Sequence, residues 1–117
     1  MFNIHRSLAL IKGQLSKSQY FKNVANVEYS KALRHEFLDN ANSPNTTHAR
    51  NAMWNYLSAA TRGHKDAQYK IGISYLNGQL GCNQNAHQAI KWLTKAAEQG
   101  HNEAKFKLLS LLSTLAL

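Results

Sequence analysis

Apolar positions in the second half of the chain recur every three and four residues, the period of a helix and not of a strand. Ala86, Ala89, Ile90, Leu93, Ala96 and Ala97 fall on one helical face. Asn83 or Asn85 can cap the start of that helix, and Gly100 can end it in the left-handed conformation. Upstream, Asp66 suits the first turn of a helix running through Tyr69, Gly72, Tyr75 and Leu76 and stopping at Gly78. Gly78-Gln79-Leu80-Gly81-Cys82-Asn83 then joins the two helices as a short antiparallel connection. Much of the apolar material is alanine, and helices approach closely only where side chains are small.

The same pattern occurs twice. Sliding the chain by 37 residues (59 onto 96) places Ala59-Ala60-Thr61-Arg62-Gly63-His64 on Ala96-Ala97-Glu98-Gln99-Gly100-His101. Around that anchor Ala49 meets Ala86, Ala52 meets Ala89, Ala67 meets Ala104, and Lys70 meets Lys107. Toward the N-terminus, Ile4, Leu8, Ile11 and Leu15 predict one short amphipathic helix that ends between Gly13 and Ser16. Ser18 is placed to cap a longer helix through Val24, Val27, Leu33, Phe37 and Leu38, with Pro44 in the exit loop. Residues 102–117 predict a terminal helix that closes the stack.

Residues 66–104 resemble the SEL-1-like repeat, a relative of the tetratricopeptide repeat. The resemblance rests on Ala67, Tyr69, Ile71, Gly72, Tyr75 and Gly78, then on Ala89, Trp92, Lys95, Ala96, Ala97, Glu98, Gln99, Gly100, His101 and Ala104. Residues 47–65 are similar to the second helix of a preceding repeat through Ala52, Ala59, Ala60, Gly63 and His64. There the family tryptophan is displaced: Trp54 lies one residue early and Asn55 holds its place. Leu93, Gln88 and Asn85 also depart from the usual tyrosine, lysine and acidic residue. The resemblance implies an all-α fold, a short right-handed αα superhelix of about six helices in a single domain over residues 1–117. Residues 1–46 would supply N-terminal helices and a degenerate half-repeat, 47–65 the second helix of repeat 1, 66–101 repeat 2, and 102–117 a capping helix.

Charge changes the functional picture more than the fold. Across 117 residues, 14 Lys and Arg face 6 Asp and Glu, a formal charge of +8. The apolar fraction is 44% and the charged fraction 17%, enough for a core and unlike a disordered chain. The single cysteine excludes an internal disulfide framework. Neither terminus reads as a cleavable signal or a bilayer span, so the cytoplasm is the expected compartment.

Catalytic readings are weak. Gly72-Ile73-Ser74-Tyr75-Leu76 lacks the final glycine of a nucleophile elbow and falls on a helix. Cys82 and His87 suggest a thiolate pair without a third orienting group, and a plain free thiol explains Cys82 as well. His64 and His101 each follow a helix-ending glycine, where they can hydrogen-bond at a helix junction; a full repeat apart, they do not suit a metal. Gly78-x-x-Gly81 resembles the clamp of some RNA-binding modules and is equally a turn between helices. No enzyme, cofactor or metal is therefore expected.

What the resemblance implies is a protein–protein interaction module. Bacterial proteins of this kind serve as adaptors, regulators and toxin-neutralising immunity proteins. In such solenoids the first helix of each pair lines the concave face, and positions one repeat apart form rows. Lys70 and Lys107 make one row; Lys31, Gln68 and Lys105 make another; Ser74 and Asn77 complete the expected contact set. A partner with an acidic surface fits that set. A basic nucleic-acid-binding protein is the alternative, although the lysines are scattered and no stacking platform or helix-turn-helix is evident. The leucine-rich Phe106–Leu117 segment is more apolar than one packing face requires, which points to possible self-association.

Overall fold

A computed structural model of the chain describes residues 17–41 and 46–115, and every element among them is a helix. These are α1 (Lys17–Ala41), α2 (Thr46–Thr61), α3 (Lys65–Asn77), α4 (Ala86–Glu98) and α5 (Asn102–Leu115). Five helices stand where about six were expected; the short helix predicted through Ile4, Leu8, Ile11 and Leu15 lies outside the described residues. No strand occurs among the described residues. The helices pack as consecutive antiparallel neighbours, α1 with α2, α3 with α4, and α5 against α4. This is the helix-pair architecture of an αα solenoid.

Two layers of core hold the stack. The larger gathers Ala25, Ala32, Ala52, Tyr56, Ala59, Ala60, Ala67, Ile71 and Trp92 from the first four helices. The smaller sets Leu93 and Ala96 of α4 against Ala104 of α5. Alanine dominates both, so the helices gain stability from close backbone approach more than from large buried side chains. Gly72 marks the tightest point. A β-carbon there would lie 2.8 Å from Leu93 Cγ, so only glycine admits α4 at this distance.

Helix α1 differs from its expected reading. Ser18 lies inside the helix, not at its cap. Val27, Leu33 and Phe37, counted as its apolar positions, are exposed, whereas Ala25 and Ala32 are buried with Tyr29 packed beside them. The close contact with α2 selects the small residues for the inside, and the bulky ones are left on the other faces. Glu36 on the same helix accepts a hydrogen bond from the buried Tyr56 hydroxyl of α2 and lies 3.4 Å from Lys70 Nζ of α3. It thereby ties three helices together.

The connection between α3 and α4 is built as the sequence suggests. Gly78 ends α3 in the left-handed region, and its N–H donates to Ser74 O. Asn85, rather than Asn83, caps α4 by accepting from Gln88 N at 3.1 Å. Cys82 directs its thiol at the carbonyls of Ser74 and Gln79.

Candidate functional site

The repeat junctions come first, because they set which face each side chain presents. Gly63 and Gly100 both adopt positive φ, and the next residues, His64 and His101, donate their N–H to Ala59 O and Ala96 O. Each histidine then opens the following helix. His64 Nδ1 accepts from Ala67 N at 3.2 Å, and His101 Nδ1 accepts from Ala104 N at 3.1 Å. An accepting Nδ1 fixes the Nε2–H tautomer, and His101 Nε2 lies 3.2 Å from Asp66 Oδ1. Each ring also stacks on a tyrosine of the first helix of its pair: Tyr29 on His64 and Tyr69 on His101, both at 4.4 Å between centroids. Burial holds the His64 imidazole below its ordinary titration range, partly opposed by the Asp66 carboxylate. The repeated histidines are thus helix caps.

The tyrosine stacks give the register between the first helices. Tyr69 stands 32 residues before its histidine, and Tyr29 stands 35 before its own. Helix α1 is therefore offset from α3 by three residues more than the 37-residue shift that relates α2 to α4. Tyr29, Tyr69 and Phe106 are equivalent positions, as are Glu28, Gln68 and Lys105, and as are Ala32, Gly72 and Leu109. In that register Lys31 matches Ile71 and Leu108, not Gln68.

The seven expected contact residues separate accordingly. Gln68 is buried, and its amide donates to Ala60 O at 3.1 Å and accepts from Gln99 Nε2 at 2.8 Å. Ser74 is also buried, with its hydroxyl donating to Lys70 O. Neither side chain is free to meet a partner: Gln68 is engaged with Ala60 and Gln99, and the Ser74 hydroxyl turns back on its own helix. Lys105, equivalent to Gln68, is exposed because no further helix packs against that side of α5 among the described residues. Lys31 occupies the position that Ile71 uses to join the α2-containing core, and among the described residues it is exposed beside Val27 and Arg34. It does not belong to the row of Gln68 and Lys105. Asn77 and Lys107 are exposed, and Lys70 is half-buried beside Glu36. Lys107 lines a groove between α3 and α5 with Tyr69, Glu103, Phe106 and Ser110, about 440 Å³ in volume.

Two further surfaces were not singled out for partner contact by the sequence. A cleft of about 670 Å³ has Lys22, Arg62 and Lys65 on its walls and Ala25, Phe21 and His64 between them. An apolar groove runs past Met53, Trp54, Leu57 and Leu80, with Arg50 at its edge. Trp54 is 70% exposed, whereas Trp92 is 7% exposed. The signal for this surface lies in the one-residue displacement of Trp54, which moves the indole from the buried position held by Trp92 to the one held by the exposed Lys91.

Burial raises the Cys82 thiol above its ordinary range, and His87 is exposed and makes no contact with it, so a thiolate pair does not form. Among the described residues no three His, Cys, Asp or Glu side chains converge as a metal site would require. No described helix is long and apolar enough to cross a membrane.

Comparison with known proteins agrees with the helix-pair geometry. Residues 65–101 match the Sel1 repeat family. Chitin synthase regulatory factor 3 of Schizosaccharomyces pombe is 42% identical over 53 residues, 45% of this chain and 6% of that protein. Chitin synthase regulator SKT5 of Malassezia restricta is 44% identical over 52 residues, 44% of this chain and 4% of that protein. The chain thus spans a small fraction of the curated relatives' length. No solved structure matches it. By its residues and by its capped, stacked helix pair, the segment 65–101 is a Sel1 repeat.

Proposed function

We propose that this chain is a non-catalytic protein–protein interaction module that binds a partner with an acidic surface. The contact runs along the first helices of the pairs, through Lys70 and Asn77 of α3 and through Lys107, which lines the α3–α5 groove. One observation carries the reading. Apart from Arg62 and Lys70, no described lysine or arginine lies within ion-pair distance of a described carboxylate. The surface charge is therefore available to a partner, and such charge steers association and selects against like-charged competitors. The Sel1 repeat supports the class, and the names of the two relatives favour a regulatory adaptor over a toxin-neutralising role.

Immobilised chain, exposed to a lysate of its own source with and without nuclease, tests this. The expected result is a protein retained after nuclease and released by salt, with retention reduced about tenfold or more by K107E. Lys107 is the cleaner position for reversal, since Lys70 also serves Glu36 inside the fold. Retention and salt response unchanged by K107E would remove the groove, and capture abolished by nuclease would favour nucleic acid.

A further inference from the structure

We infer that α5 pairs with α5 of a second copy of this chain, antiparallel and centred on Leu109. The register above identifies the face concerned. Phe106 and Leu109 stand one repeat after Tyr69 and Gly72, the residues through which α3 meets its own second helix. On α5 that face carries Phe106, Leu109 and Leu112, which are 76%, 64% and 46% exposed. Three large apolar side chains at i, i+3 and i+6 form a stripe that water covers at a cost.

Leu109 also says what kind of helix can cover it. At the equivalent Gly72, even a β-carbon would strike Leu93. A leucine at this position therefore bars a family-type second helix at the usual close approach and suits leucine-to-leucine contact at ordinary helix separation, about 8–10 Å. A second α5 meets that requirement with its own Leu109.

Charge fixes the direction. Helix α5 has Glu103, Lys105 and Lys107 in its first half and no charged residue from Leu108 to Leu115. Parallel pairing would bring Lys105 against Lys105. Antiparallel pairing about Leu109 sets Phe106 against Leu112 of the second copy and Lys105 against its Ser113. Each Lys105 then lies beside the carbonyl end of the other helix, where a cation is favoured. A single helix pair buries less than the 1,200 Å² or so of a standard interface, so dissociation in the micromolar range is expected.

Phe106 borders both this stripe and the Lys107 groove, whereas Leu109 lines only the stripe; the inference is read at Leu109 on purified chain with no partner present, so either proposal can fail alone. Sedimentation equilibrium over about a thousandfold concentration range around the micromolar should show a monomer–dimer transition. L109K should remain monomeric throughout with an unchanged helical circular dichroism spectrum, because the side chain is largely exposed in one copy. In a C82S background, L109C should form an interchain disulfide under mild oxidation, whereas W54C, equally exposed, should not. A wild-type chain monomeric at every concentration would overturn the inference, and so would a dimer that persists in L109K or cross-links through position 54 instead of 109.

Discussion

At the first repeat junction Arg62 reaches back from the end of α2 to Glu28 on α1, with Nε and Oε1 3.0 Å apart. At the second, Gln99 reaches back from the end of α4 to Gln68 on α3 and to Gly63 O, at 2.8 and 2.9 Å. The positions are equivalent and the chemistry is not. In the second junction two neutral amides satisfy each other and the backbone. In the first, a charged pair does the same work less completely, since the second oxygen of Glu28 is buried with no hydrogen-bond partner among the described residues. One fold thus accepts either an amide clasp or an ionic one, and the ionic one carries the greater penalty if a partner is lost.

The deepest shared element should give the largest effect. Tyr56 of α2 and Leu93 of α4 are equivalent and fully buried. Tyr56→Ala and Leu93→Ala should each lower unfolding free energy by about 3 kcal/mol or more, measured by urea titration. Tyr56→Ala should be the costlier, because it also removes the hydroxyl hydrogen bond to Glu36 and leaves that carboxylate to Lys70 alone. A small effect from one of them would break the equivalence of the two pairs.

The clasps come next. Arg62→Ala should cost about 1–3 kcal/mol by leaving Glu28 without its cation, and the double variant E28Q/R62Q, which copies the second junction, should recover most of that loss. A double variant no better than Arg62→Ala would mean that the two junctions are not interchangeable.

The smallest effect concerns pH. His64 is held below its ordinary value near 6.5, so the unfolded chain takes up its proton first. The stability that the neutral ring provides is present above about 6.5 and is lost as pH falls through the folded-state value. Protonation also removes the Nδ1 acceptor that caps α3. His64→Asn keeps a capping oxygen that does not titrate, and it should flatten this acid limb at a cost within about 1 kcal/mol at neutral pH. An acid limb unchanged in His64→Asn would assign the pH response elsewhere.

How far the sequence reads through depends on the helix. Helices α3 and α4 are legible from Gly78, Gly100, Asn85 and the alanine periodicity, since caps and small-residue faces are local signals. Helix α1 is not, for two physical reasons. Its three-residue offset hides Tyr29 and Glu28 from any fixed repeat shift, and its buried face is made of Ala25 and Ala32 while Val27, Leu33 and Phe37 stay outside. The same offset misplaced Lys31. Gln68 misled for another reason: a polar residue in a concave-row pattern looks available for contact, and only the geometry of Gln99 and Ala60 shows its amide already in use.

The two indoles have an optical consequence. Trp92 sits under Lys91 and Lys95, with their ammonium groups 5.8 and 5.2 Å from the ring centroid, and is almost shielded from solvent, whereas Trp54 stands in water. Their emission should separate into a blue component resistant to acrylamide and a red component that is readily quenched. The molecule therefore carries two native fluorophores, one reporting on the integrity of its interior and the other on whatever settles against its surface.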